Sequence, residues 1–113
     1  YLKYFWSKYK INKSYKSTKD LIDEYDLDAF IGLTRGPAWK INYDGGDNVA
    51  MNNSLEFSSG GYAAHNGMPH ITIPYFEINS FPVGISIIGD RWTDKSIIGY
   101  ASAIEKTRYN LEN

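Results

Sequence analysis

The chain has 113 residues with twelve basic and thirteen acidic side chains, a balance that gives no electrostatic pull toward nucleic acid or an anionic membrane. It has no cysteine, which excludes disulfides and thiolate-held metals, and no apolar run long enough to cross a bilayer. The length suits one domain, and ten tyrosines with three tryptophans supply much of its packing surface.

Leu2, Phe5, Trp6 and Tyr9 recur at helical spacing and predict an amphipathic helix over the first dozen residues. The polar stretch 12–16 interrupts that pattern. Ser17 is placed to cap a second helix, with Asp20 completing a capping-box variant and Leu21, Ile22 and Tyr25 forming the apolar side. Asp23, Glu24 and Asp26 read as its solvated face.

Residues 28–33, Asp-Ala-Phe-Ile-Gly-Leu, predict a short strand that stops at Thr34-Arg35-Gly36-Pro37. From there to Phe57 the chain is rich in Gly, Asn and Asp, which predicts a long loop, and loops of that length tend to carry function. Residues 58–66 predict a short helix ended by Gly67 at the C′ position. Strands are expected over 70–74 and 82–89. Trp92, Thr93 and Ile97 suit a hydrophobic staple around an N-cap, and Asp94 suits the positive end of a last helix whose buried side is Ile97, Ile98, Ala101 and Ile104.

Val83-Gly-Ile-Ser-Ile-Ile88 carries apolar residues on both alternating faces, the pattern of a strand covered on both sides. Three or four helices are thin cover for such a sheet. The expected fold class is therefore α/β, a mixed sheet with flanking helices that forms part of a larger fold. A first residue that is Tyr1 rather than Met agrees with a piece of a longer protein.

Few residues offer chemistry. Ser58-Ser59-Gly60-Gly61, leading into Tyr62-Ala63-Ala64, could expose a serine hydroxyl beside backbone N–H groups. A nucleophile also needs a positioned base, so capping or loop closure is the expected role. His65 and His70 are the only histidines. A Ser59, His70, Asp90 triad can be assembled on paper, but His65 reads as a surface or pocket-wall residue and His70 as a structural one. Two histidines without ligand spacing hold no zinc, and Asp44, Asp47 and Asn48 offer too few oxygens for calcium. No metal and no cofactor is expected. Gly36-Pro37-Ala38-Trp39, just past the first strand, lies where open α/β sheets build ligand crevices.

Three ordered features carry a family resemblance: Phe81-Pro-Val-Gly-Ile-Ser-Ile-Ile-Gly-Asp-Arg-Trp-Thr-Asp94, the Gly67-Met-Pro-His-Ile-Thr-Ile-Pro74 segment before it, and Thr34 with Gly36 to Trp39 and Asp47. Together they resemble the C-terminal end of amidase-signature enzymes, serine hydrolases that cleave carboxamides, over about residues 17–109. Ser59, Ala63, Ala64, Gly67, Pro69 and Pro74 fit the family's C-terminal segment in order. Glu56 and Phe57 stand where its nucleophile loop has small residues. Arg35 departs from the stand-alone bacterial amidases that the Gly-Pro-Ala-Trp loop otherwise resembles. The resemblance implies hydrolysis of a C–N bond through a serine acyl-enzyme. The family's lysine, bridging serine and nucleophilic serine have no counterpart here, so no catalytic residue is assigned within 1–113 and the chemistry is expected upstream. Trp39 and Thr34 are the candidate substrate-binding residues. The implied partners are the remainder of the parent amidase and a small amide substrate, with no nucleic acid and no membrane. The competing reading is an autonomous, non-catalytic binding module.

Overall fold

The structure, a computed structural model, describes residues 1–52 and 58–111. Its elements in chain order are α1 (Leu2–Tyr25), β1 (Ala29–Leu33), α2 (Gly46–Asn52), α3 (Gly60–Asn66), β2 (His70–Ile78), β3 (Phe81–Gly89) and α4 (Asp94–Leu111).

The three expected strands share one sheet in the order β1-β3-β2. Both pairings are antiparallel, with Ala29 opposite Gly89 and Leu33 opposite Ile85 on one side of β3, and His70 opposite Ile88 on the other. β3 is central because its apolar residues serve two faces at once. Ile85 and Ile87 join Ile73, Ile97 and Ala101 in a cluster beneath α4. Ile88, one step out of phase, joins Ile22, Ala63 and Met68 beneath α1 and α3. Alternation along one strand thus produces the two-sided cover that the sequence pattern predicts.

Where residues 1–26 predict two helices, the structure has one of 24 residues. The polar stretch does not end the helix, because lysines one turn before acids support it: Lys16 pairs with Asp20 at 2.8 Å, and Lys19 pairs with Asp23. Ser17 is interior, not a cap, and returns its hydroxyl to Lys13 O at 3.3 Å. The helix stops at Asp26, whose left-handed backbone (φ 50°) sends its N–H to Ile22 O. Only Thr18 and Ile22 of α1 are buried. At about 100° per residue, Leu2, Phe5, Trp6 and Tyr9 fall on the opposite side of the helix from these two, and all four are exposed.

The stretch from Thr34 onward also departs from expectation, since it contains α2. Asn42 Oδ1 accepts N–H bonds from Asp44 (3.0 Å) and Gly45 (2.8 Å), forming a side-chain turn that launches the helix. Ala50, within this helix, is buried. Glu56 and Phe57 lie outside the described residues.

β2 runs past Pro74, where the sequence predicts an end. Pro74 is tolerated on this edge strand because the register shifts between Pro74 and Phe76, a bulge beyond which pairing resumes. A two-residue turn, Asn79 (φ 53°) and Ser80 (φ 66°), then leads directly into β3. The expected staple at Trp92 does not form: Trp92 is 93% exposed with φ 68°. Instead the Thr93 hydroxyl donates to Asp90 O at 2.7 Å while Thr93 O accepts Ile97 N–H. Asp94 does stand in the first turn of α4.

Candidate functional site

Thr34 is the residue at which β1 turns into the Gly-Pro-Ala-Trp loop. Its N–H donates to Gly84 O at 2.9 Å, so it is held by β3 beyond the last regular pair of the strand. Close approach here depends on Gly84. A Cβ at that position would lie 2.7 Å from Thr72 Cγ2 and 3.2 Å from Thr34 Oγ1. Thr34 O accepts the Ser59 N–H at 3.1 Å, which ties the start of α3 to the end of β1.

Around Thr34 the sheet face beside α3 is polar. Ser86, 1% exposed, has its Oγ 2.6 Å from His70 Nε2, 2.7 Å from Ser59 Oγ and 2.8 Å from Thr34 Oγ1. Thr72 closes the group, 3.3 Å from Thr34 Oγ1 and 3.4 Å from His70 Nε2. The register explains the assembly, because Thr72 is opposite Ser86 and His70 is two residues along the same face. Four elements therefore meet at one buried hydroxyl. Sequence reading did not single out Ser86, although a lone polar residue inside an apolar two-faced strand was the signal available.

Trp39 is half-buried, and the Arg35 guanidinium centre sits 4.8 Å from its ring centroid. Arg35 itself bridges to Ser58. The departure from the resembled loop at position 35 thus contributes a cation–π contact that braces the tryptophan. Ser58 and Ser59 also border a shallow apolar depression with Phe30, Ile31, Tyr62 and Ile88.

The paper triad is not built. Ser59 reaches Ser86 rather than His70, and Asp90 is engaged elsewhere. Asp90 accepts the Tyr15 hydroxyl at 2.6 Å and its own neighbour's N–H, from Arg91, at 2.7 Å, and pairs with Lys19 at 3.3 Å. Ser59 is the N-cap of α3 by position, yet its side chain makes no capping bond. Its hydroxyl serves loop closure. His65 is exposed and bonds Gly61 O on its own helix at 2.7 Å. Gly67 ends α3 in the left-handed conformation (φ 61°), as its C′ role requires. Arg91 links this end to the β3–α4 turn: its Nε donates to Asn66 O at 2.9 Å and its guanidinium lies 3.6 Å from the Tyr15 ring centroid. Among the described residues no group of three His, Cys, Asp or Glu could hold a metal ion.

No family model matches the chain. Over 47 residues, 42% of this chain, it is 40% identical to the A component of the glutamyl-tRNA(Gln) amidotransferase of Thermotoga maritima. Its fold resembles the crystal structure of PAM12A with a TM-score of 0.66 at 31% identity. It also resembles the native peptide amidase of Stenotrophomonas maltophilia, with a TM-score of 0.62 at 27% identity. Each structural likeness covers 78% of this chain. These relatives support the amidase-signature family for this chain, as part of the α/β amidase fold. The chain spans 10% of the length of the amidotransferase component and 16% of each of the two solved structures.

Proposed function

We propose that this chain is the C-terminal, non-catalytic part of an amide hydrolase that cleaves a carboxamide C–N bond through a serine acyl-enzyme. The observation that carries this reading is the fold likeness to a peptide amidase, which extends over 78% of the chain. The hydroxyl network agrees with it, because its internal bonding leaves no base aimed at an accessible serine. The lysine and serines that the family resemblance implies then lie upstream of Tyr1.

On this reading the chain supplies a wall of the substrate site. Trp39 offers an apolar ring to the amide or acyl group, and Thr34 holds the loop that carries it. Exposed Leu2, Phe5 and Trp6 on α1, and Ile31 on the free edge of β1, are surfaces that the remainder of the parent amidase covers.

Ammonia or amine release from peptide amides and small carboxamides by the longer parent protein tests the proposal. Turnover is expected from the parent and none from residues 1–113 alone. A parent that hydrolyses no amide, while binding a partner through this chain, would favour the binding-module reading. Comparable turnover by the isolated chain would place the chemistry inside it.

A further inference from the structure

Besides its backbone bond to Gly84, Thr34, where the loop leaves β1, is held through its side chain by the buried Ser86 hydroxyl. Ser86 Oγ has three partners within 2.8 Å and carries one proton and two lone pairs, so its capacity is fully used. Its proton goes to Thr34 Oγ1. The other two partners must therefore donate: Ser59 through its hydroxyl, and His70 through Nε2–H. That arrangement selects the imidazole tautomer protonated at Nε2. It also separates two chemistries. A serine relay toward a base would need His70 Nε2 to accept, whereas here Ser59 donates to Ser86, Ser86 donates to Thr34, and Nε2–H is itself a donor.

We propose that His70 is a positioning residue for the loop at 34–39. By donating to Ser86 it fixes the hydroxyl that holds Thr34 from β1 and Ser59 from the start of α3. Trp39, five residues beyond Thr34, is set in place by that clamp and by its contact with Arg35. Burial strengthens the effect, since at 1% exposure Ser86 has no water to replace a lost partner. The inference rests on the reading of Trp39 as a substrate wall, but its structural half is measurable without any substrate.

Long-range proton–nitrogen NMR of residues 1–113 identifies the tautomer directly, and Nε2–H is expected. A proton on Nδ1, with Nε2 accepting, overturns the proposal and revives Ser59 as a relay serine. Two His70 variants separate donor from bulk. His70→Gln can present an amide N–H near the Nε2 position and should retain the wild-type Trp39 indole signal. His70→Phe keeps the volume without a donor. It should shift that signal and raise exchange of the Thr34 and Ser59 amides about tenfold, the scale of one lost buried hydrogen bond. Ser86→Ala removes little volume and provides the same readout should His70→Phe unfold. An unmoved Trp39 signal in Ser86→Ala overturns the clamp. In the parent amidase, His70→Phe should raise KM more than it lowers kcat, with His70→Gln restoring KM. Unchanged KM despite a displaced Trp39 would overturn the substrate-wall reading while the clamp stands.

Discussion

Tyr15, midway along α1, donates a 2.6 Å hydrogen bond to Asp90, the residue that follows the central strand, across 75 positions of sequence. This contact joins the long N-terminal helix to the β3–α4 turn. Lys19 and the Arg91 N–H converge on the same carboxylate, and Arg91 stacks on the ring that supplies the hydroxyl. Partial burial pushes the Asp90 carboxyl up, but the Tyr15 hydroxyl, the Arg91 N–H and Lys19 together hold it below the usual 3.8. The hydrogen bond to Asp90, followed by burial, raises the Tyr15 phenol above 10.0.

These two shifts give opposite pH limits. A lowered carboxyl contributes stability above its unfolded value and loses it as pH falls through the folded one, so the Asp90 contribution fades below about pH 4. A raised phenol contributes below its unfolded value and loses that contribution as pH rises above about 10. Urea melts across pH should therefore show Asp90→Asn to be destabilising at pH 7 and to flatten the acid limb. An acid limb identical to wild type would remove Asp90 from the linkage.

Gly89 lies where α4 crosses the end of β3. A Cβ there would come within 2.5 Å of Ile97 Cγ2 and would also meet the Thr93 hydroxyl. Gly89→Ala should destabilise by about 1–3 kcal/mol, the range for overpacking a tight contact. A thermal melt within a degree of wild type would mean that α4 sits further from the sheet than described.

Ser80 is held at φ 66° in the two-residue turn between β2 and β3. Such turns favour glycine there, because a side chain in the left-handed region is strained. Ser80→Gly should leave the fold intact and raise stability by about 0.5–1 kcal/mol, read as a higher urea midpoint. A lowered midpoint would argue against this turn geometry.

The strands were legible where hydrophobic pattern decides structure. Val83 to Ile88 announced a two-faced strand, and Gly67 announced the end of α3. The single α1 was not legible, because lysine–acid pairs one turn apart carry a polar stretch through a helix without any apolar signal. The extension of β2 was hidden by Pro74, which reads as a terminator until a bulge accommodates it. The Asn79-Ser80 turn lacked the glycine that usually marks a hairpin. At the site, Thr34 and Ser59 were visible from loop position and composition. Their meeting at Ser86 was not, since cross-strand register and the placing of α3 are tertiary facts. The pairing of Tyr15 with Asp90 was not legible for the same reason: neither residue lies in a local pattern that points to the other.

Ser59 is where the assignment of chemistry is most exposed to test. Its hydroxyl reaches Ser86 at 2.7 Å and closes a loop, so Ser59→Ala should remove about 1 kcal/mol of stability and leave substantial amide turnover in the parent protein. Loss of a true nucleophile would instead abolish turnover by several orders of magnitude. The most direct measurement is labelling of the active parent with a phosphonylating probe for activated serines, followed by peptide mass spectrometry. The expected result is a single modified serine outside residues 1–113, with Ser58, Ser59 and Ser86 untouched. Modification of Ser59, at a rate matching loss of activity, would contradict the assignment of the catalytic residues to another part of the protein.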